Sequence, residues 1–299
     1  MTVSSSTATP GLPAPRRHLA LLAAAGAAGS FISMDSAIKL ISPRYDAFQL
    51  SFFRFASGAV FAVLIWAVMR TPLPRGAAWR MHGLRSGLLL VSLVTYFHAL
   101  TVLPLAQTVA ISYLAPIFVS LLAVFVLHER PSSSIWAALA LGLAGVFVAL
   151  WPELRDSLKG VGGARAWGVA SVALSALAFS GVMILARRQA QSDSMWTILL
   201  VQNVLPALLL TVPAALTWKP LQPGDLLPIV AAGAFATLGL LSLTYAFTHL
   251  EASRVAPLEY TSFVWAAGIG HFMFGETLGI TTAVSAAMIV TGCLLLMRR

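Results

Sequence analysis

Three ionisable side chains, Asp35, Arg54 and Glu259, stand where the surrounding chain is apolar. A charge inside a hydrophobic span is costly to keep and marks a solute or ion path by default. Asp35 lies six residues before the end of a first apolar run, and Arg54 seven residues into the second. Helical rise puts them roughly 9 and 10 Å below the same face. On adjacent antiparallel helices, opposite charges would then share one level. One reading is a structural ion pair. The other is a site in which Asp35 recognises a cationic group or a proton while Arg54 orients the solute. Glu259 enters from the opposite face to a depth of roughly 8 Å, two residues after Pro257. Proline removes a backbone donor and frees carbonyls one turn earlier, which bends a helix or lines a cavity. A carboxylate there can bind an ammonium or sulfonium group, or exchange a proton. Its structural alternative is a pair with Arg254 near the interface.

Tyr113 and Tyr260 offer an aromatic face with a hydroxyl, suited to a cation or a ring. Ser112, Gln107 and Trp265 complete the candidate lining, with Tyr96 and Tyr245 as further aromatics. Helix packing is the structural alternative for each of these aromatics. No histidine–carboxylate spacing suggests a metal, and the single cysteine, Cys293, leaves no disulfide or thiolate metal site. No cofactor motif is expected.

These residues need elements to hold them. Hydrophobic residues make up 59% of the chain and charged ones 10%, with mean hydropathy +0.86. A water-soluble domain carries roughly 25% charged residues, so lipid is the main solvent here. The basic pI of 10.6 comes from Lys and Arg in short loops, which set orientation and do not imply nucleic acid. About 20 helical residues cross the hydrocarbon core. The runs that fit are 19–41, 47–69, 83–101, 105–127 and 135–151, then 166–186, 195–217, 227–249, 255–274 and 280–297. Continuous apolarity excludes a β-barrel, and lipid-exposed backbone must bond within its own helix. Twelve basic residues fall to one face, among them Arg70, Arg130 and Arg254, and six to the other. The basic bias predicts both termini in the cytoplasm and a multi-pass protein of the inner membrane.

The ten runs are two sets of five in one register. Asp46 recurs as Asp193, Tyr113 as Tyr260, Glu129 as Glu276 and Gly145 as Gly292, each 147 residues on. An odd number of spans per repeat means that the second repeat enters from the opposite side. The fold class expected is therefore an all-α integral membrane protein, ten transmembrane helices as two inverted five-helix repeats. Residues 1–18 read as a disordered cytoplasmic tail, 19–152 as repeat 1, 153–165 as a linker and 166–297 as repeat 2. Inverted repeats are a construction of secondary transporters, with the site near the bilayer midplane. Matched positions that differ (Asp35 against Val182, Arg54 against Val201, Ser112 against Glu259) are where the repeats specialise.

Several stretches carry a resemblance. Ser51-Phe52-Phe53-Arg54-Phe55, Ala115-Pro116-Ile117-Phe118, His128-Glu129-Arg130-Pro131, Ala256-Pro257-Leu258-Glu259-Tyr260 and Phe274-Gly275-Glu276 occur in order. Together with the repeat they resemble the drug/metabolite transporter superfamily, in its EamA branch, over residues 19–297. Met34-Asp35-Ser36-Ala37-Ile38-Lys39 and the Pro-Leu-Glu-Tyr segment look most similar to S-adenosylmethionine uptake-type carriers. His128-Glu129 stands where the family often has Gly-Glu, a departure confined to a helix-end turn.

The resemblance implies a secondary active transporter of a small polar metabolite, S-adenosylmethionine, an amino acid or a related compound, working by alternating access. A proton is the candidate coupling ion, and the partners are the solute and the bilayer. An exporter of amino acids, metabolites or drugs with the same fold is the alternative. A membrane-embedded enzyme is more remote, because no compact nucleophile–base or metal constellation is present. No phosphate-binding loop points to nucleotide-driven transport. Oligomeric state does not follow from these residues.

Overall fold

A computed structural model describes residues 14–103, 108, 111–157, 163–275 and 280–297. Among them, ten helices of 13 residues or more follow one another, with no strand. They are α1 (Ala14–Ile41), α2 (Ala47–Met69), α3 (Ala77–Val102), α4 (Ala115–Leu127), α5 (Ser133–Ser157), α6 (Gly163–Ser192), α7 (Met195–Leu216), α8 (Leu226–His249), α9 (Thr261–Phe274) and α10 (Ile280–Met297). Among these, α1, α2, α6, α7 and the stretch Pro223–His249 around α8 are each long and apolar enough to cross a membrane.

Two expected boundaries shift. The first helix reaches back to Ala14, into the expected tail, because Pro15 sits in the first turn where its missing donor is not needed. Helices α5 and α6 extend to Ser157 and back to Gly163, so residues 158–162, which lie outside the described residues, are all that separates them. The expected linker 153–165 is largely helical.

A larger correction concerns the fourth and ninth spans, read as continuous helices. The ninth is broken: a one-turn helix, Ala252–Val255, is followed by a 3₁₀ segment, Ala256–Tyr260, before α9 begins. Pro257 removes a donor there, and the tighter turn takes over. In the fourth span, Tyr113 and Leu114 form a turn before α4 starts at Ala115. Tyr113 and Tyr260 are matched positions, so both repeats break at one register.

Helix ends carry the same signature of duplication. Leu103 ends α3 and Leu250 ends α8 in extended conformation, each donating its N–H to an alanine carbonyl four residues back at 2.8 Å. His128 and Gly275, matched in register, end α4 and α9 with φ of 55° and 67°. The position that holds glycine in the second repeat is thus a left-handed turn, which His128 adopts at a steric cost.

Packing runs between repeats more than within them. The dominant pairs are α1 with α8, α3 with α6, α2 with α7, and α5 with α10. Inverting the chain about a two-fold axis exchanges the first two pairs and maps each of the others onto itself. At the α5–α10 crossing, a Cβ on Gly145 would lie 3.0 Å from the Ser285 carbonyl, and one on Gly292 would lie 3.2 Å from the Ala138 carbonyl. Those two contacts are images of one another, which places the pseudo-two-fold axis through this crossing. Absence of a side chain at both glycines lets the backbones meet.

The two ends of the molecule are clasped reciprocally. At one end, Gln49 of α2 exchanges bonds of 2.7 and 3.0 Å with the Lys219 backbone, and Tyr45 donates to Asp225 at 2.6 Å. Asp46 caps α2 through the N–H groups of Phe48 and Gln49. At the other end, Thr197 of α7 bonds the Pro72 carbonyl at 3.0 Å, and His82 meets Asp193 at 2.9 Å. Lys219 and Pro72 are matched positions, so the start of each second helix grips the corner of the opposite repeat.

Candidate functional site

The broken ninth span presents Glu259. Its 3₁₀ segment packs against α1, α4, α5 and α10, so it sits at the centre of the helix array. Around Glu259, Ala256, Pro257, Leu258 and Tyr260 are buried, while Glu259 itself stays partly accessible. Among the described residues its carboxylate forms no hydrogen bond and no ion pair. The alternative pairing with Arg254 does not form; Arg254 pairs with Glu251 at 3.5 Å. A carboxylate placed at depth without a partner is costly unless a ligand or proton supplies one.

Asp35, six residues before the end of α1, is exposed, while Met34, Ser36 and Ala37 beside it are buried. Its neighbours along the helix, Met34 and Ala37, are instead packed on Ala232 and Ala236 of α8. Asp35 and Arg54 act on one another electrostatically, but no salt bridge joins them among the described residues. The expectation of adjacent helices needs correcting here. Both α1 and α2 pack on α8, which comes between them, and they share little surface with each other. Close approach of α8 to each is set by glycines: Gly233 faces Ser57 of α2 and Gly239 faces Phe31 of α1, where a Cβ would clash at 2.7 and 2.9 Å. The two charges therefore stand on helices separated by α8 while remaining within electrostatic reach of one another. The Arg54 guanidinium lies 5.0 Å from the Phe55 ring centroid, and its Nε is buried without a hydrogen-bond partner.

Tyr96 stands between the Asp35 and Glu259 regions electrostatically. It is within electrostatic reach of Asp35 on one side and Tyr113 on the other, and Tyr113 is within reach of Glu259. Ser262, at the start of α9, sits 3.3 Å from the Tyr113 hydroxyl. Sequence reasoning passed over Ser262. Its signal was available, because its matched position is Ala115 and it is another place where the repeats differ.

The remaining candidates divide. Ser112 lies beside Tyr113 at the break of the fourth span and is partly buried. Gln107 lies outside the described residues. Tyr260 is fully buried: its hydroxyl donates to the Tyr113 carbonyl at 3.1 Å and its ring rests on Gly142, where a Cβ would come within 2.2 Å. That is packing at the break and leaves no atom for a solute. Trp265 donates its indole N–H to the Ala25 carbonyl at 3.1 Å and covers Gly29, tying α9 to α1. The repeat-matched positions of Asp35 and Arg54, Val182 and Val201, are 5% and 3% exposed. The second repeat carries packed valine where the first carries charge.

An open groove of about 470 Å³ runs between α2 and α7, but Phe52, Val60, Leu64, Val204 and Leu208 line it and no ionisable group reaches it. Among the described residues no cluster of metal-ligating side chains occurs.

Comparison with known proteins agrees with this geometry. The EamA-like transporter family model matches twice, over residues 18–151 and 166–298. A similar protein is the S-adenosylmethionine uptake transporter of Rickettsia prowazekii, 24% identical over 260 residues, covering 87% of this chain and 86% of the relative. The pseudopaline exporter of Pseudomonas aeruginosa is 27% identical over 287 residues, covering 93% and 95%. A crystal structure at 20% identity superposes with a TM-score of 0.77 over 92% of this chain and 95% of its own, which shows a shared fold. Two family matches, one per repeat, and transporters as relatives at nearly full length exclude an enzyme reading. The chain belongs to the EamA-like transporter family, as a membrane transporter built from two repeats of that unit.

Proposed function

We propose that this protein is a secondary active carrier, working by alternating access in the inner membrane, for a small amino-acid-derived metabolite that bears positive charge. S-adenosylmethionine, which joins an amino acid to a sulfonium centre, is the leading solute. One observation carries the reading: Glu259 stands at a helix break in the middle of the array with no hydrogen-bond or ion-pair partner among the described residues. Discontinuous helices at the centre of repeat-built carriers hold solute and ion sites in this manner.

In this reading Glu259 receives the ammonium or sulfonium group, or a coupling proton in its place. Asp35 attracts a second cationic group, and Arg54 orients the solute through its carboxylate. Tyr113, set by Ser262, presents its ring to the cation between them. The relative named as an uptake transporter supports the solute class; the relative named as an exporter supports the opposite direction as the second reading.

Uptake and efflux in proteoliposomes decide between them. S-adenosylmethionine and amino acids are offered under an imposed pH gradient of either sign. Accumulation of S-adenosylmethionine against its gradient is the expected result. Failure of every imposed gradient to move any of these solutes would remove the carrier reading.

A further inference from the structure

A carboxylate of the first repeat holds the broken helix of the second. Glu129 follows His128, whose left-handed turn closes α4 with the Glu129 N–H returning to the Ala123 carbonyl at 3.1 Å. That turn aims the Glu129 side chain away from its own helix. Its two oxygens accept the backbone N–H groups of Ala252 and Ser253, each at 2.9 Å. These are the first donors of the one-turn helix that leads into the Glu259 segment. The glutamate side chain is 8% exposed, and Arg187 of α6 lies 3.9 Å from it. Arg187 also donates to the Phe247 carbonyl near the end of α8, and Gln191 donates to the same oxygen at 2.8 Å. Four elements, α4, α6, α8 and the broken span, are thus joined at one buried carboxylate.

We infer that Glu129 is a positioning residue for the Glu259 site and a latch that closes the end of the molecule bearing Arg187 and Arg188. Two charge-assisted bonds fix where the Ala252–Val255 turn starts, and the 3₁₀ segment that carries Glu259 runs directly on from that turn. Opening a path to Glu259 from this end requires the turn to leave Glu129. The inference rests on Glu259 being the solute site, and its test separates the two ideas.

The test uses the full chain in liposomes, with Cys293→Ser and one cysteine introduced at Ser262 beside Tyr113. Glu129→Gln leaves a carboxamide that offers one acceptor where two are needed and turns an N–H₂ toward a donor. The rate of labelling by a membrane-impermeant thiol reagent, added from the Arg187 face, is expected to rise roughly tenfold or more, the scale of one lost charge-assisted hydrogen bond. Labelling from the opposite face is expected not to rise. Unchanged labelling from the Arg187 face overturns the latch. If Glu129→Gln fails to insert, Glu129→Asp retains the charge on a shorter stem and is expected to shift labelling in the same direction; no shift there overturns the latch equally. Glu259→Gln is assayed in parallel for S-adenosylmethionine transport. Wild-type transport by that variant removes the solute-site reading, while the labelling rates still decide the latch.

Discussion

Tyr260 donates its hydroxyl hydrogen bond to the backbone oxygen of Tyr113, 3.1 Å away, and Tyr113 is its own counterpart 147 positions earlier in the chain. Their rings lie 5.9 Å apart at 35°. The duplicated tyrosines meet at the point where both repeats interrupt a helix, and there they have parted company. One is a packed strut; the other keeps a partly accessible ring.

That division gives a paired prediction. Tyr260→Phe removes a bond inside the array and should lower thermal stability in detergent, by about 1 kcal/mol, with little change in solute affinity. Tyr113→Phe removes the hydroxyl that meets Ser262 and should raise the transport KM more than it lowers stability. Melting curves and initial rates on both variants check this, and equal effects on KM would contradict it.

Glu259→Gln should abolish concentrative transport while the protein still inserts and folds. Insertion is read from yield and size-exclusion behaviour, transport from radiolabelled solute. Full activity in this variant would reduce Glu259 to a structural role.

Because α8 stands between the helices that carry Asp35 and Arg54, and no salt bridge joins the pair among the described residues, exchanging them should not restore function. Asp35→Arg combined with Arg54→Asp is expected to be as inactive as either single change. Recovery of transport in the double variant would show a direct pair that the helix packing does not support.

The Tyr260 ring occupies the space a side chain would need at Gly142. Gly142→Ala should therefore destabilise by roughly 1–3 kcal/mol, the range for overpacking a filled interior. Thermal unfolding reports it, and an unchanged midpoint would mean that the ring moves aside at no cost.

His128 adopts a left-handed conformation where its counterpart is Gly275. His128→Gly should stabilise the protein by about 1 kcal/mol, at the low end of the steric cost of that region for a side chain. A lowered midpoint would show that the imidazole is making contacts that outweigh the strain.

Much of the architecture was legible in the chain. Continuous apolar runs admit only helices in lipid, and a gapless register of matched residues such as Tyr113 and Tyr260 required two repeats of opposite orientation. What could not be read was how the repeats interlock. Sequence adjacency suggested that α1 and α2 pack together; glycines on α8, whose meaning appears only in contact with Phe31 and Ser57, insert that helix between them. The charged residues were visible because a charge in an apolar run is conspicuous. Ser262 was a weaker signal, since its mismatch with Ala115 gains meaning only with the Tyr113 hydroxyl 3.3 Å across the break. Tyr260 is the reverse case, because residue type records the hydroxyl but not the Tyr113 carbonyl that takes its bond.

Each end of the molecule is held by the same kind of corner, Gln49 on the Lys219 backbone at one and Thr197 on the Pro72 carbonyl at the other. If the chain works by alternating access as proposed, corners of such similar construction narrow the free-energy gap between its two open forms. A machine balanced in this way has no built-in arrow. For a carrier on this plan, the gradient that happens to be largest sets the direction of net flow, so one inherited frame can serve an uptake transporter in one bacterium and an exporter in another.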